Sequence, residues 1–158
     1  RCGPPWDASG WALRLYGEGP DQAYIEDLVA FYNLGDRVSL PGYERGIEKA
    51  WETAHLGVLP SRGEGMPLAV LEGMMCGRPF VATNVGGIDE LIKDGENGFV
   101  VDGMDPRSFR DGLRRAWDRR STWPEMGRQA HLRARAVAAS DPPARLLHAL
   151  ETAAARPE

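Results

Sequence analysis

Short runs rich in β-formers alternate with helical patterns across residues 12–101, and that alternation restricts the chain to a parallel sheet covered by helices. The runs are Ala12–Tyr16, Arg37–Leu40, Leu56–Leu59, Pro79–Ala82 and Phe99–Val101, with turn-forming stretches such as Gly17-Glu18-Gly19-Pro20, Pro41-Gly42 and Asn84-Val85-Gly86-Gly87 after them. Between them, Asp21–Leu34 carries Tyr24, Leu28 and Phe31 at spacings of four and three, with Gly35 placed as a helix C-cap. Ile47–Ala54 and Pro67–Cys76 fill the next gaps, and Gly77 closes the second. The expected fold is α/β: a Rossmann-like, three-layer parallel sheet with helices on both faces. From about residue 105 it continues as a helical extension, opened by Asp105 as N-cap and Pro106 at the first helical position. Helices are expected over 123–139 and 143–155. Residues 1–10 read as an irregular segment and 11–158 as one domain.

Composition narrows the function classes. A chain of 158 residues buries enough surface to fold without metal or disulfides. Residues 1–103 hold 16 acidic and 8 basic side chains, and residues 104–158 hold 7 and 11. A nucleic-acid binder shows a basic stripe interleaved with aromatics, so the acidic excess where the motifs lie argues against that partner. The arginines of 107–120 surround a Phe109-Leu113-Trp117 stripe together with Asp111 and Asp118, the mixture of a solvated face; association with a membrane surface is the other reading. Cys2 and Cys76 are too far apart in sequence to pair as metal ligands, and Cys76 reads as a small buried hydrophobe. Arg1 stands in place of Met, and no apolar run approaches the ~20 residues of a bilayer span. The chain therefore reads as a soluble, cytoplasmic piece of something longer, and a peripheral position at the inner membrane face is the alternative.

The chemistry concentrates between Leu59 and Pro79. A strand ends at Leu59, the flexible Gly63-Glu64-Gly65 loop follows, and Pro67 pre-sets the φ of a helix start. This places the loop at the carboxyl end of the sheet, where open α/β sheets hold their ligands. Free amides of Met66, Leu68 and Ala69, with the helix dipole, make that start an anion site suited to phosphate. Glu64 and Glu72, separated by seven residues, bracket it. Glu72 lies beside an apolar face of Leu68, Leu71 and Met75, where ribose hydroxyls would satisfy its two oxygens. Glu64 is placed to meet sugar hydroxyls on the other side of a phosphate. The bland alternative has Glu64 capping the helix and Glu72 solvated, and the residues alone leave both readings open.

The Thr83–Glu90 loop follows the next strand on the same sheet edge, and Gly86-Gly87 lets backbone approach a ligand closely. Gly17-Glu18-Gly19-Pro20-Asp21-Gln22 begins like a dinucleotide fingerprint and fails it, because Gln22 replaces the third glycine and Pro20 interrupts the helix entry. Arg62 reads as a solvated loop residue or a phosphate cation. His55, His131 and His148 have no acid or nucleophile beside them that suggests catalysis.

These motifs resemble the donor-binding, C-terminal domain of the group 1 (family 4) glycosyltransferases, one half of the GT-B architecture. The resemblance rests on Glu64-Gly65-Met66-Pro67-Leu68-Ala69-Val70-Leu71-Glu72 followed by Gly77-Arg78-Pro79-Phe80-Val81-Ala82-Thr83. Gly17-Glu18-Gly19-Pro20, Asp36 to Gly42, Val85-Gly86-Gly87 and Glu90 to Val101 agree with it in order. It implies retaining transfer of a sugar from a nucleotide-diphosphate donor to an acceptor hydroxyl, with no cofactor and no required metal. By resemblance Glu72 holds the ribose hydroxyls, Glu64 is the catalytic-site residue at the donor sugar, the Met66 and Leu68 amides cradle the distal phosphate, and Gly65 belongs to the donor-binding residues. Gly17, Gly86 and Gly87 line the donor site, and Tyr43 falls where similar proteins contact the base. The acceptor would bind an N-terminal domain that this sequence does not contain.

Two departures accompany the resemblance. Arg1 to Asp7 does not match the family's first strand or the Arg and Lys after it, so either another segment supplies that central strand or its two neighbours pair directly. Gly73 stands where alanine is usual, at about 1 kcal/mol of helix propensity. Two other functions stay open: a non-catalytic nucleotide-binding module, and a Rossmann-type NAD-dependent oxidoreductase.

Overall fold

β4 (Phe80–Thr83) is buried along its whole length and organises the larger part of the molecule. In the computed structural model, which describes residues 10–139, it lies between β3 (Gly57–Leu59) and β5 (Gly98–Val101) in a parallel sheet of order β3-β4-β5. Alternation along the strand sends its side chains to opposite faces. Phe80 and Ala82 enter a core with Val70 and Met74 of α3 (Leu68–Met75), Ile88 and Leu91 of α4 (Ile88–Leu91), and Ala130 and Ala134 of α6 (Trp123–Ala138). Val81 enters a second core with Phe99, Val101, Met126 and Ala116, the last from α5 (Pro106–Asp118). Helices thus cover both faces, and the expected three layers are present in this part of the chain.

Contacts divide the chain into two compact units, Arg1–Ala50 and Trp51–Glu158. In the first, β1 (Leu13–Tyr16) pairs in parallel with β2 (Val38–Gly42) around the crossover helix α1 (Gln22–Phe31); the division falls within α2 (Ile47–Thr53). The two strands of the first unit and the three of the second form separate sheets, so β1 and β3 do not pair with each other.

The helix termini follow local rules. α5 starts as read, with the Asp105 carboxylate accepting from the amides of Arg107 and Ser108 at 2.9 and 3.1 Å. α3 ends at Gly77 (φ +72), where the Gly77 amide donates to Met74 O and the Arg78 amide to Gly73 O, the paired bonds of a Schellman motif. α1 does not end at Gly35. Asn33 takes the left-handed position (φ 53), with the same pair of bonds from Asn33 and Leu34 to Ala30 O and Val29 O. Its covered side is also rotated from the expected stripe: Tyr24 and Phe31 are 64% and 76% exposed, and Ile25, Leu28 and Val29 are half-buried.

Several basic side chains close helix C-termini within the larger unit. Arg78 Nε donates to Trp51 O at 2.8 Å, His131 Nδ1 lies 2.7 Å from Met75 O, and Arg133 Nε donates to Glu90 O at 2.9 Å. The arginines of 107–120 are not simply solvated either. Arg115 pairs with Asp94 at 3.0 Å, Arg119 donates to Gly95 O, and Arg120 lies over the Trp117 ring. The expected 143–155 helix, like the irregular 1–10 segment except Gly10, lies outside the described residues. Among the described residues no helix is long and apolar enough to cross a membrane.

The space around Phe80 explains Gly73. A Cβ at residue 73 would stand 2.6 Å from the Phe80 ring and 3.1 Å from Trp51, and one at Gly57 would stand 2.3 Å from the same ring. The ring occupies the volume that side chains at 57 and 73 would need, which outweighs the helix propensity forgone at 73.

Candidate functional site

β3 ends at Leu59, and the chain crosses a loop before Pro67 takes the N-cap of α3 with φ −77 and ψ 91. No side chain caps this helix. The amides of Val70 and Leu71 turn back to Pro67 O at 3.0 and 3.2 Å. Those of Met66, Leu68 and Ala69 donate to no group among the described hydrogen bonds, and all three residues are exposed. Unpaired amides at the positive end of a helix dipole bind anions.

The side of α3 that packs inward is Val70, Gly73 and Met74, one step round from the Leu68-Leu71-Met75 face that the sequence suggested. Val70 and Met74 are drawn in by Phe80, Ala82 and the small residues of α6. Leu68 and Met75 are instead 63% and 41% exposed, on the same side as Glu72 at spacings of four and three. Glu72 is exposed, and its carboxylate accepts no hydrogen bond among the described residues. It therefore presents two free acceptors flanked by apolar surface.

Glu64 is half-buried and is held by Ser61, whose Oγ donates to Oε1 at 2.6 Å, so its carboxylate is tied to the loop and not to the helix amides. Ser61 escaped the sequence reading. The signal was present in the Ser-x-x-Glu spacing, which brings a hydroxyl and a carboxylate together across one tight turn.

The two glycine-bearing loops lie side by side, as the strand order requires. The Gly87 amide donates to Gly65 O at 2.9 Å, and a Cβ on Gly86 would stand 2.0 Å from Glu64 O. In this structure the absence of side chains at 86 and 87 is used against the first loop. Glu64, Gly65, Met66, Leu68, Glu72, Gly86 and Gly87 are thus gathered in one unit. Gly17 and Tyr43 lie in the other, past the carboxyl ends of their strands, where the Gly17 amide donates to Gly42 O at 2.8 Å and Tyr43 is 71% exposed. Arg62 and His55 are exposed. Cys76 is exposed at the C-cap of α3 and is not the buried hydrophobe that its apolar neighbours suggested; the helix turns Met74 inward and leaves Met75 and Cys76 outside.

A hollow of about 540 Å³ elsewhere in this unit is lined by Asp89, Asp94, Asp102 and Asp111 with Arg115. Four carboxylates around one guanidinium repel a phosphate, so an anionic ligand favours the α3 terminus over this space. The Asp94–Arg115 pair has a mainly structural role. Burial pushes the Asp94 carboxyl up, but the Val100 amide and the Arg115 and Arg119 guanidinium groups outweigh it and hold the pKa below the ordinary aspartate value. A depressed native pKa contributes stability that is present above the unfolded value and is lost as pH falls through the native one. Both side chains are about half exposed, so Asp94→Asn is expected to lower stability by less than about 1 kcal/mol at neutral pH. The gap between variant and parent in urea midpoint should close below the ordinary aspartate pKa; a gap that stays constant into acid would show that the ionised carboxylate is not its source.

The family described as glycosyl transferases group 1 matches residues 5–119. This chain belongs to the group 1 glycosyltransferases. Among curated members it is 35% identical over 127 residues to an exopolysaccharide phosphotransferase of Streptomyces coelicolor, covering 79% of this chain and 14% of that protein. It is 42% identical over 80 residues to the D-inositol 3-phosphate glycosyltransferase of Paenarthrobacter aurescens, covering 51% and 20%. Among solved structures it is similar to a TarM variant of S. aureus in complex with fondaparinux, alpha-GlcNAc-glycerol and UDP. That match has a TM-score of 0.70 and 27% identity, and covers 77% of this chain and 25% of the other. The fold is the parallel-sheet α/β fold of GT-B glycosyltransferase domains. The chain spans 14 to 20% of the length of these two curated relatives. Membership of the group 1 glycosyltransferases disfavours the NAD-dependent oxidoreductase reading.

Proposed function

We propose that this chain is the donor-binding part of a retaining glycosyltransferase that moves a sugar from a nucleotide-diphosphate donor to an acceptor hydroxyl. The observation that carries the reading is the uncapped start of α3, where free amides of Met66, Leu68 and Ala69 adjoin two carboxylates that the helix does not use. The diphosphate sits at these amides. Glu72 takes the vicinal hydroxyls of the ribose, and Leu68 and Met75 supply apolar surface beside it. Glu64, oriented by Ser61, accepts from the hydroxyls of the donor sugar.

As the bond from sugar to diphosphate breaks, negative charge grows on the departing phosphate oxygens. Amides already aimed at that position stabilise the charge without reorganising, which is the main catalytic contribution open to these residues. The acceptor is bound by parts of the protein other than those described.

Calorimetric titration of the chain with UDP, GDP, ADP, their sugar conjugates and NAD tests the reading. Binding of at least one nucleoside diphosphate is expected, with tighter binding of its sugar conjugate. Binding of NAD with no affinity for any diphosphate would sink it.

A further inference from the structure

The β4–α4 loop bears on the proposed diphosphate site without belonging to the motif that names it. Gly86 has φ +57, and a Cβ there would stand 2.0 Å from Glu64 O, 2.7 Å from Glu64 C and 2.7 Å from Gly65 O. The next residue donates its amide to Gly65 O at 2.9 Å. Two consecutive carbonyls of the first loop, those of Glu64 and Gly65, are therefore turned toward the second loop. In a trans peptide the N–H points opposite to the C=O of the same unit, and the described part of the chain has no cis bond. The Gly65 and Met66 amides consequently face away from the second loop, and neither donates to a group among the described hydrogen bonds. Consecutive amides facing one way form an anion-binding concavity.

We propose that Gly86 is a positioning residue of this site: by lying against the Glu64 and Gly65 carbonyls, with Gly87 bonded to the second of them, it turns the Gly65 and Met66 amides toward the diphosphate. Gly86 and Gly87 need not touch the ligand for this. The proposal rests on the reading of the α3 start as the diphosphate site.

A side chain at 86 has nowhere to go, because the obstruction is backbone and the left-handed conformation already strains it. Its Cβ must push the two loops apart and release both carbonyls. Gly95 supplies the control, since it too has a positive φ (+79), but its Cβ would meet only the far end of the Arg119 side chain at 3.2 Å. Gly87→Ala is a graded case: its Cβ would stand 3.3 Å from Gly65 O, and its amide is retained.

The test is UDP titration of the full chain and its variants, with melting temperatures measured in parallel. Gly86→Ala is expected to weaken UDP at least tenfold, Gly87→Ala by about threefold or less, and Gly95→Ala by about twofold or less with a comparable loss of melting temperature. In the parent, the amide resonances of Gly65 and Met66 should move when UDP is added, and in Gly86→Ala they should not. Should Gly86→Ala fail to fold, Gly87→Pro breaks the bond to Gly65 O by removing the donor at a φ of −80 that proline accepts, and the same loss is expected. Parental UDP affinity in a folded Gly86→Ala protein, or equal losses in Gly86→Ala and Gly95→Ala, would overturn the positioning role. If the parent chain binds no UDP and no other nucleoside diphosphate, the site reading itself fails and takes this proposal with it.

Discussion

Glu72→Ala is expected to weaken binding of a bare nucleoside diphosphate by roughly 10- to 100-fold, while Glu64→Ala leaves that affinity within about twofold and weakens the sugar-bearing donor instead. The magnitude follows from hydrogen bonds to an ionised carboxylate at about 1.5–3 kcal/mol each, with 1.4 kcal/mol per factor of ten. The division follows from position. Glu72 stands on the open side of α3 between Leu68 and Met75, whereas Glu64 stands in the loop, fixed by Ser61. Neither change removes a buried contact, since Glu72 is exposed and Glu64 half-buried, so melting temperatures should scarcely move. Titration of each variant with the diphosphate and with its sugar conjugate reads the difference directly. Equal losses on both ligands for both variants would reject separate roles for the two carboxylates.

Phe80→Ala is expected to cost about 3–5 kcal/mol, a large part of the roughly 5–15 kcal/mol that holds a domain together. The ring is 1% exposed and lies among Val70, Met74, Ile88 and Leu91, with Trp51 at a centroid distance of 5.3 Å. The same ring makes the effect of Gly73→Ala depend on background. In the parent, overpacking at about 1–3 kcal/mol outweighs the gain of about 1 kcal/mol in helix propensity, and stability falls. With Phe80 cut back to alanine the closer obstruction is gone and Trp51, 3.1 Å from that Cβ, is the neighbour left, so Gly73→Ala should then cost less than in the parent. Urea midpoints of the two single variants and the double variant decide the matter. Simple additivity would mean that something other than the ring excludes a side chain at 73.

Strand positions were legible because each run of β-formers is closed by a glycine or proline turn, and every described strand falls within two residues of its expected place. The starts of α5 and α6 were legible for the same kind of reason, with Asp105-Pro106 the clearest. Which side of a helix packs inward was harder to read. α1 and α3 both carry apolar residues on more than one side, and spacing alone favoured Tyr24-Leu28-Phe31 and Leu68-Leu71-Met75 over the stripes that the neighbouring elements cover. α4 was missed because four residues are too few to show a period. At the site, the carboxylates and the glycine loops could be found from their order in the chain. The hold of Ser61 on Glu64, the exclusion of a side chain at 73 by Phe80 and the seating of Gly86 on the Glu64 carbonyl could not, because each is a distance between atoms that sequence order does not supply.

The contact between the two loops has a consequence for protein engineering. Glu64 to Glu72 reads as a contiguous motif, yet its amides are oriented by a turn that follows a different strand, and its helix is seated by Ala130 and Ala134 far downstream. The motif is therefore not portable. Grafted onto the strand–helix junction of another scaffold, it would bring both carboxylates and an unconstrained loop; the smallest transplantable piece runs at least from β3 through α6.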